Sequence, residues 1–358
     1  MRSPFSSVLF VTVILVSSTL ASSTLSINNS GVISSPLVGK WFDYVVVIMM
    51  ENHSINNTYG VSVQPNTWNS NSKTCLGNCT YFDLLANSSA LAEGYTDGHV
   101  MGVSLGAYIG ITSGYNKTAQ GCNTNPPGSS GCALLQIPNI VDRLETARLS
   151  WKAYMEGYPI SSGCYNNDKS NPNYYAFSHN PFIFYADIQT NATRCSHIVN
   201  ANSQTVSQAG CWPSAIPNDN LFLNDLSSPS TASNYMFLKP NTVDDVHDCN
   251  DISLGNKWLN EMVPQILDSA VFKTKRAALF ITFDEDPCTV GGCPSTGPQM
   301  YTVWASNSAN PTTKVGFTSV ISYTHFNALR TVEDNWNLPP FIASTDGSAG
   351  NMQEFFFR

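Results

Sequence analysis

The sequence predicts an α/β sandwich built on a mostly parallel central sheet. Two continuous apolar runs rich in β-branched residues, Tyr44 to Met49 and Ala277 to Phe283, suit strands buried on both faces. Between and beyond them lie segments whose apolar residues recur at helical spacing. Buried strands alternating with amphipathic helices make layered α/β structures.

The elements follow in chain order. Arg2, the short apolar run Val8 to Val16 and the small residues around Thr19-Leu20-Ala21 read as a signal peptide over residues 1–22. The run is short for a membrane span, although an uncleaved anchor is the alternative. Residues 23–40 are Ser-rich and read as a polar leader, and residues 41–358 as a single domain without internal repeat or linker. Tyr44 to Met49 is the first strand. Residues 61–80 and 115–137, rich in Asn, Ser, Gly and Pro, are expected loops. Ile140, Val141, Leu144 and Ala147 share one helical face. Trp258, Leu259, Met262 and Ile266 share another, where Pro264 is expected to bend or interrupt the helix. Ala277 to Phe283 is the second long strand and Tyr301 to Ala305 a shorter third. Phe326, Leu329 and Val332 mark a third helix.

Composition narrows the function. The 358 residues carry a net charge of −8, with 42% hydrophobic and 12% charged residues. The acid excess argues against a nucleic-acid partner, which needs a basic footprint. It also argues against adhesion to anionic membranes by charge, while leaving a lipid substrate open. No run after the leader is long and apolar enough for stable membrane insertion, so a soluble mature protein is expected. Oligomeric state is not readable. The ten cysteines are even in number and fit disulfides in an exported chain. Cys75–Cys79, Cys122–Cys132 and Cys288–Cys293 are close enough in sequence to close small loops. A zinc reading is weaker, because no CxxC pair occurs. Sequons at Asn28, Asn52, Asn56, Asn78, Asn87, Asn116 and Asn191 offer glycan sites, with Asn52 expected to stay bare.

The chemistry gathers at strand ends. The first strand runs into Glu51-Asn52-His53-Ser54 and the second into Asp284-Glu285-Asp286. Ligands in open α/β sheets bind beyond the carboxyl ends of strands. Carboxylates brought together repel one another unless a cation neutralises them, so Glu51, Asp284, Glu285 and the Asn52 carbonyl suit a divalent metal ion. Loop caps or exposed turns read the same pattern equally well. Ser104 sits between Gly102 and Gly106, which let the backbone turn tightly around its hydroxyl. No G-x-S-x-G elbow is present, so an esterase triad loses ground. A plain turn residue is the competing reading of Ser104. Among the six histidines, His179, His247 and His325 suit a developing phosphoryl charge or a leaving oxygen; a hydrogen-bonded loop histidine is the competing reading.

These residues resemble the phosphoesterase family, which contains bacterial-type phospholipases C and acid phosphatases. The resemblance runs through Phe42 to Ser54, Asn139 to Leu144, Trp151 to Glu156, His179 to Phe182, Pro240 to Asp248, Thr282 to Glu285 and His325 to Trp336, in order. It implies an alkaline-phosphatase-like three-layer α/β/α fold. It also implies a metal at the positions matching Glu51, Asn52, Asp284 and Glu285, and a nucleophile at Ser104. His247 and His325 match family histidines at the site, and His179 a recurring block. Two departures stand out. The nucleophile segment commonly reads Pro-Ser-x-Pro-Asn-Tyr, whereas Val103 precedes Ser104 here and Gly106-Ala107 precedes Tyr108. After Asp284-Glu285 the chain gives Asp286-Pro287-Cys288, closer to the compact acid phosphatase branch.

The expected activity is therefore metal-dependent hydrolysis of a small phosphoester through a phosphoserine. A phospholipase C-type phosphodiesterase, or a non-catalytic exported glycoprotein that retains the fold, are the rivals.

Overall fold

The computed structural model describes residues 37–60, 75, 77–97, 103–116, 121–159, 163–168, 173–203, 210–211, 219–249, 251–285 and 299–357. The signal peptide, most of the polar leader and the Cys288–Cys293 pairing lie outside the described residues.

The central strand, β1 (Tyr44–Met50), is apolar along its length because both of its faces are covered. The other strands are β2 (Ala90–Ala92), β3 (Trp151–Met155), β4 (Ile198–Asn200), β5 (Tyr235–Lys239), β6 (Ala277–Phe283), β7 (Val303–Ala305) and β8 (Phe317–Ser319). They form one sheet in the order β4-β3-β5-β1-β6-β7-β2-β8. Strand β1 pairs in parallel with β5 on one side and β6 on the other. Strand β7 runs antiparallel to both β6 and β2. The remaining pairs are parallel.

Two layers of helix cover the sheet. On one face the helices Ser104–Ser113 and His325–Asn335 pack together, and Ile111, Ala328, Leu329 and Val332 meet Val47, Phe280 and Trp304. On the other, Thr80–Ser88 and Ile252–Leu267 pack together. There Phe82 tilts against Phe283, and Gly255 lies close enough to the Met50 side chain that a Cβ would sit 3.0 Å from it. Val47 and Met50, like Phe280 and Phe283, lie three residues apart and so face opposite sides of the sheet. The Ile252–Leu267 helix continues through Pro264 without interruption. A proline that deep costs one intrahelical hydrogen bond, which the buried apolar face of this helix outweighs.

Every residue of the Ser104–Ser113 helix is buried. Its apolar circumference, with Gly106 and Gly110 among larger side chains, suits a helix enclosed on all sides. It stops at Gly114, whose φ of 69° is left-handed and whose added Cβ would fall 2.0 Å from Asp346 Oδ1. Four disulfides occur among the described residues: Cys75–Cys79, Cys122–Cys132, Cys164–Cys195 and Cys211–Cys249. No helix among the described residues is long and apolar enough to cross a membrane.

Candidate active site

The site is assembled from the carboxyl ends of adjacent strands. Glu51 follows β1, Asp284 follows β6, and Lys239 closes β5. The ladder continues past the strands, because Asp284 N donates to Met50 O at 3.0 Å and Glu51 N to Asp245 O at 3.0 Å. These bonds fix Glu51 and Asp284 side by side. Asn52 then turns sharply with φ 57°, a left-handed conformation that asparagine tolerates. Its backbone N–H donates to Asp284 Oδ1 at 2.8 Å and its side-chain amide to Glu51 Oε2 at 3.0 Å.

Ser104 opens the buried helix and brings its hydroxyl into this group. Its Oγ lies 3.3 Å from Glu51 Oε2 and 3.3 Å from Glu285 Oε1, two alternative acceptors for its single proton. The other Glu51 oxygen, Oε1, accepts from the Tyr108 hydroxyl one turn along the same helix. Lys239 Nζ lies 3.6 Å from Glu51 Oε1, pairs with Asp245 and donates to Met49 O at 3.1 Å. His179 Nδ1 lies 3.4 Å from both Glu51 Oε1 and Asp245 Oδ2, and its ring stacks on Tyr108. His247 stands edge-on to His179 with ring centroids 5.0 Å apart. Its Nδ1 meets Asp248 Oδ1 at 2.7 Å, and its backbone N–H donates to Asp245 Oδ1 at 2.8 Å. Val246, between these anchored neighbours, is held at φ 70°. That value is strained for a β-branched residue.

His325 is placed differently. It is fully buried; its Nε2 meets the Asp284 carbonyl at 2.6 Å and its Nδ1 meets the Tyr95 hydroxyl at 3.0 Å. A carbonyl only accepts, so Nε2 carries the proton and Nδ1 accepts from Tyr95. Both nitrogens of His325 are thereby engaged, Nε2 with the Asp284 backbone and Nδ1 with Tyr95. The structure thus gathers Ser104, Glu51, Asn52, Asp284, Glu285, His179 and His247 around one point, with His325 bracing it from behind.

Charge in this cluster is unbalanced. Burial, reinforced by the Glu51 charge, pushes the Asp284 carboxyl up to about 8. Burial and then the Asp284 charge push Glu285 up to about 8. Burial also raises Glu51, although Lys239 opposes it. His179 is lowered to about 4, first by burial and then by Lys239. Burial alone would raise Asp245, but Lys239 together with His179 and His247 outweighs it and holds the carboxyl low. Lys239 therefore serves the Asp245 side of the cluster, while Asp284 Oδ2 is buried with no hydrogen-bond partner among the described residues. An uncompensated carboxylate oxygen among other acids is a natural seat for a cation. Glu51, His179 and His247 also offer ligand atoms within 4.8 Å of one another. Glu51 is common to both donor sets.

Ser104, His179 and His247 line a cavity of about 380 Å³ that opens between Asn123, Tyr174 and Thr242. Neither Lys239 nor Asn123 is among the residues singled out from the sequence. A lysine closing the otherwise apolar run Tyr235 to Leu238, just before Pro240-Asn241, was the available signal for the first.

The phosphoesterase family model matches residues 76–339. The chain belongs to the phosphoesterase family. Among its relatives, this phosphoesterase is 29% identical over 206 residues to an acid phosphatase of Aspergillus fumigatus, covering 57% of this chain and 40% of that protein. It is 28% identical over 212 residues to a phosphate-repressible acid phosphatase of Penicillium chrysogenum, covering 57% of this chain and 44% of the relative. The matched region thus spans less than half the length of either. In fold, the phosphoesterase resembles an alkaline phosphatase superfamily protein of Vibrio parahaemolyticus, with a TM-score of 0.52 at 11% identity over 85% of this chain and 68% of that one. A Bacteroides thetaiotaomicron protein from glycosaminoglycan metabolism gives a TM-score of 0.53 at 8% identity, covering 88% and 77%. The alkaline-phosphatase-like α/β fold expected from the sequence is the observed one.

Proposed function

We propose that this phosphoesterase is an exported, metal-dependent phosphomonoesterase of the acid phosphatase type, with Ser104 as nucleophile. The observation that carries the reading is the Ser104 hydroxyl, set 3.3 Å from Glu51 and 3.3 Å from Glu285 at the mouth of a cavity flanked by two imidazoles. The acid phosphatases among its relatives favour a monoester, and the disulfides together with the leader pattern favour export.

A divalent cation fits the acid cluster, because Asp284 Oδ2 is buried without a partner among the described residues and Glu285 is pushed up by burial and by Asp284. Glu51, Asn52, Asp284 and Glu285 would hold it; Glu51 with His179 and His247 is the alternative donor set. When bound, such an ion would stabilise the serine alkoxide and the phosphoryl charge by Lewis acidity. The chain's own groups do the rest. Ser104 attacks phosphorus in line, the new Oγ–P bond forms as the P–O bond to the leaving alcohol breaks, and the hydroxyl proton passes to a neighbouring carboxylate. His247, half in solvent, hands a proton to the departing oxygen. Water then attacks the phosphoserine, and phosphate and the free hydroxyl are restored. Tyr108 and Lys239 orient Glu51. His325 acts by positioning, since its Nε2–H fixes the Asp284 backbone.

The test compares wild type and Ser104→Ala on p-nitrophenyl phosphate and bis-p-nitrophenyl phosphate, after chelation and after metal add-back. Monoester turnover that needs added metal and falls about a thousandfold or more in the variant is expected. Full turnover by Ser104→Ala would remove the nucleophile. Preference for the diester would move the substrate class.

A further inference from the structure

The cavity above Ser104 is acidic at its base, yet a phosphomonoester brings its own negative charge. The helix residues that follow Ser104 and Leu105 are Gly106 and Ala107, and neither carries a polar side chain. A hydrogen-bond donor for the phosphoryl oxygens must therefore come from another segment.

Asn123 lies in that cavity beside Ser104. Its carbonyl Oδ1 accepts from Leu105 N at 3.2 Å. This caps one of the open amides in the first turn of the Ser104–Ser113 helix, where Val103 provides no side-chain cap. The bond also settles which end of the amide is which, because only the oxygen can accept from a backbone N–H. With Oδ1 so engaged, Nδ2 has no hydrogen-bond partner among the described residues. It is also absent from the polar atoms sealed away from solvent. Asn123 is further fixed by its chain neighbour, since Cys122 is bonded to Cys132 across a separation of 10 residues.

We propose that Asn123 Nδ2 donates to a non-bridging phosphoryl oxygen of the substrate, making Asn123 a catalytic residue that also sets the pose of the Ser104 helix. This inference rests on the phosphomonoesterase reading of the site. A preorganised amide anchored through its oxygen is a donor of fixed direction, the arrangement that best stabilises developing negative charge. Its neutrality matters as well: it adds no proton to exchange in a site already crowded with titrating acids.

Asn123→Asp preserves the shape and the cap to Leu105 N but replaces the N–H pair with an anionic oxygen that itself repels phosphate, so it is read against Asn123→Ala, which adds no charge and is expected to lose the same binding below its melting temperature. Asn123→Ala removes both cap and donor. Wild type and both variants are compared by calorimetric binding of inorganic phosphate, by kcat/KM on p-nitrophenyl phosphate and by thermal unfolding. For Asn123→Asp we expect phosphate affinity to fall at least tenfold and kcat/KM about a hundredfold or more, with a melting temperature close to wild type. A residue that only caps the helix gives another pattern: Asn123→Ala melts early but, measured below its melting temperature, keeps wild-type phosphate affinity and turnover, and only the charged Asn123→Asp binds phosphate poorly. That pattern overturns the proposal, as does a wild-type protein that binds no phosphate. Phosphate binding that depends on Asn123 in an enzyme whose turnover survives Ser104→Ala would retain the donor and reject the nucleophile.

Discussion

At the scale of single residues, the site is organised by one buried cation that the sequence hides. Lys239 is 3% exposed and answers Asp245, Glu51 and the Met49 carbonyl together. Removing one partner of a buried ion pair leaves the other uncompensated, at a cost of about 3–5 kcal/mol. Lys239→Met should lower stability to urea by that order, seen as an earlier midpoint in equilibrium unfolding. A midpoint unchanged from wild type would show that the ammonium is not what neutralises Asp245. Most of the acids and imidazoles at this point were legible, because Glu51, Asn52, Asp284 and Glu285 terminate obvious strands. Ser104, His179 and His247 stood out only through ordered resemblance, since each alone reads as an ordinary loop residue. Lys239 and Asn123 were not legible at all. One sits inside a strand, where a lysine reads as an edge residue. The other is an asparagine in a loop full of them.

At the scale of elements, the long buried runs and the short run Tyr301 to Ala305 were readable, and the other short strands were not. β1 and β6 carry seven apolar or hydroxylated residues each and are covered on both faces. β2, β4 and β8 have three residues apiece, too few for any period to emerge, whereas β7 falls within the expected strand Tyr301 to Ala305. β3 carries Lys152 between Trp151 and Ala153, which breaks the apolar run. The register of elements depends on polar ties that periodicity does not reveal. Asn335 ends the His325–Asn335 helix and clamps the entrance to β1. Its Oδ1 accepts from Trp41 N at 2.8 Å and Phe42 N at 3.0 Å, and its Nδ2 donates to Phe42 O at 2.9 Å. Asn335→Ala strands these buried backbone groups, each worth about 1–3 kcal/mol when left unsatisfied. We expect a total loss of about 3 kcal/mol or more, measurable by thermal or urea unfolding. A change near zero would mean that water replaces the amide.

At the scale of the whole molecule, buried acids tie stability to proton concentration. Burial pushes Asp219 up to about 7, with Asp244 adding to the effect. Burial and then Asp346 push Glu333 up to about 9. Asp346 itself accepts from Phe341 N at 2.6 Å and Ile342 N at 3.0 Å. The unfolded chain releases these protons near pH 4, about 3.9 for Asp and 4.3 for Glu. A folded value above the unfolded one means the native state binds the extra proton. Stability from these two groups is therefore greatest below about pH 4 and declines as pH rises towards 7 for Asp219 and 9 for Glu333. Urea midpoints should be higher at pH 5 than at pH 8, and Asp219→Asn with Glu333→Gln should flatten the difference. A midpoint that rises between those two pH values would contradict the assignment.

Three of the disulfides stand beside residues that line the cavity: Asn123 follows Cys122, Asp168 lies four positions after Cys164, and Asp248 precedes Cys249. The core strands carry none of these bridges. Cytosolic production, where thiols stay reduced, should therefore deliver a chain whose interior is formed but whose rim around the mouth is slack. Such material would look native by far-ultraviolet circular dichroism and yet recover its full turnover only after oxidative refolding.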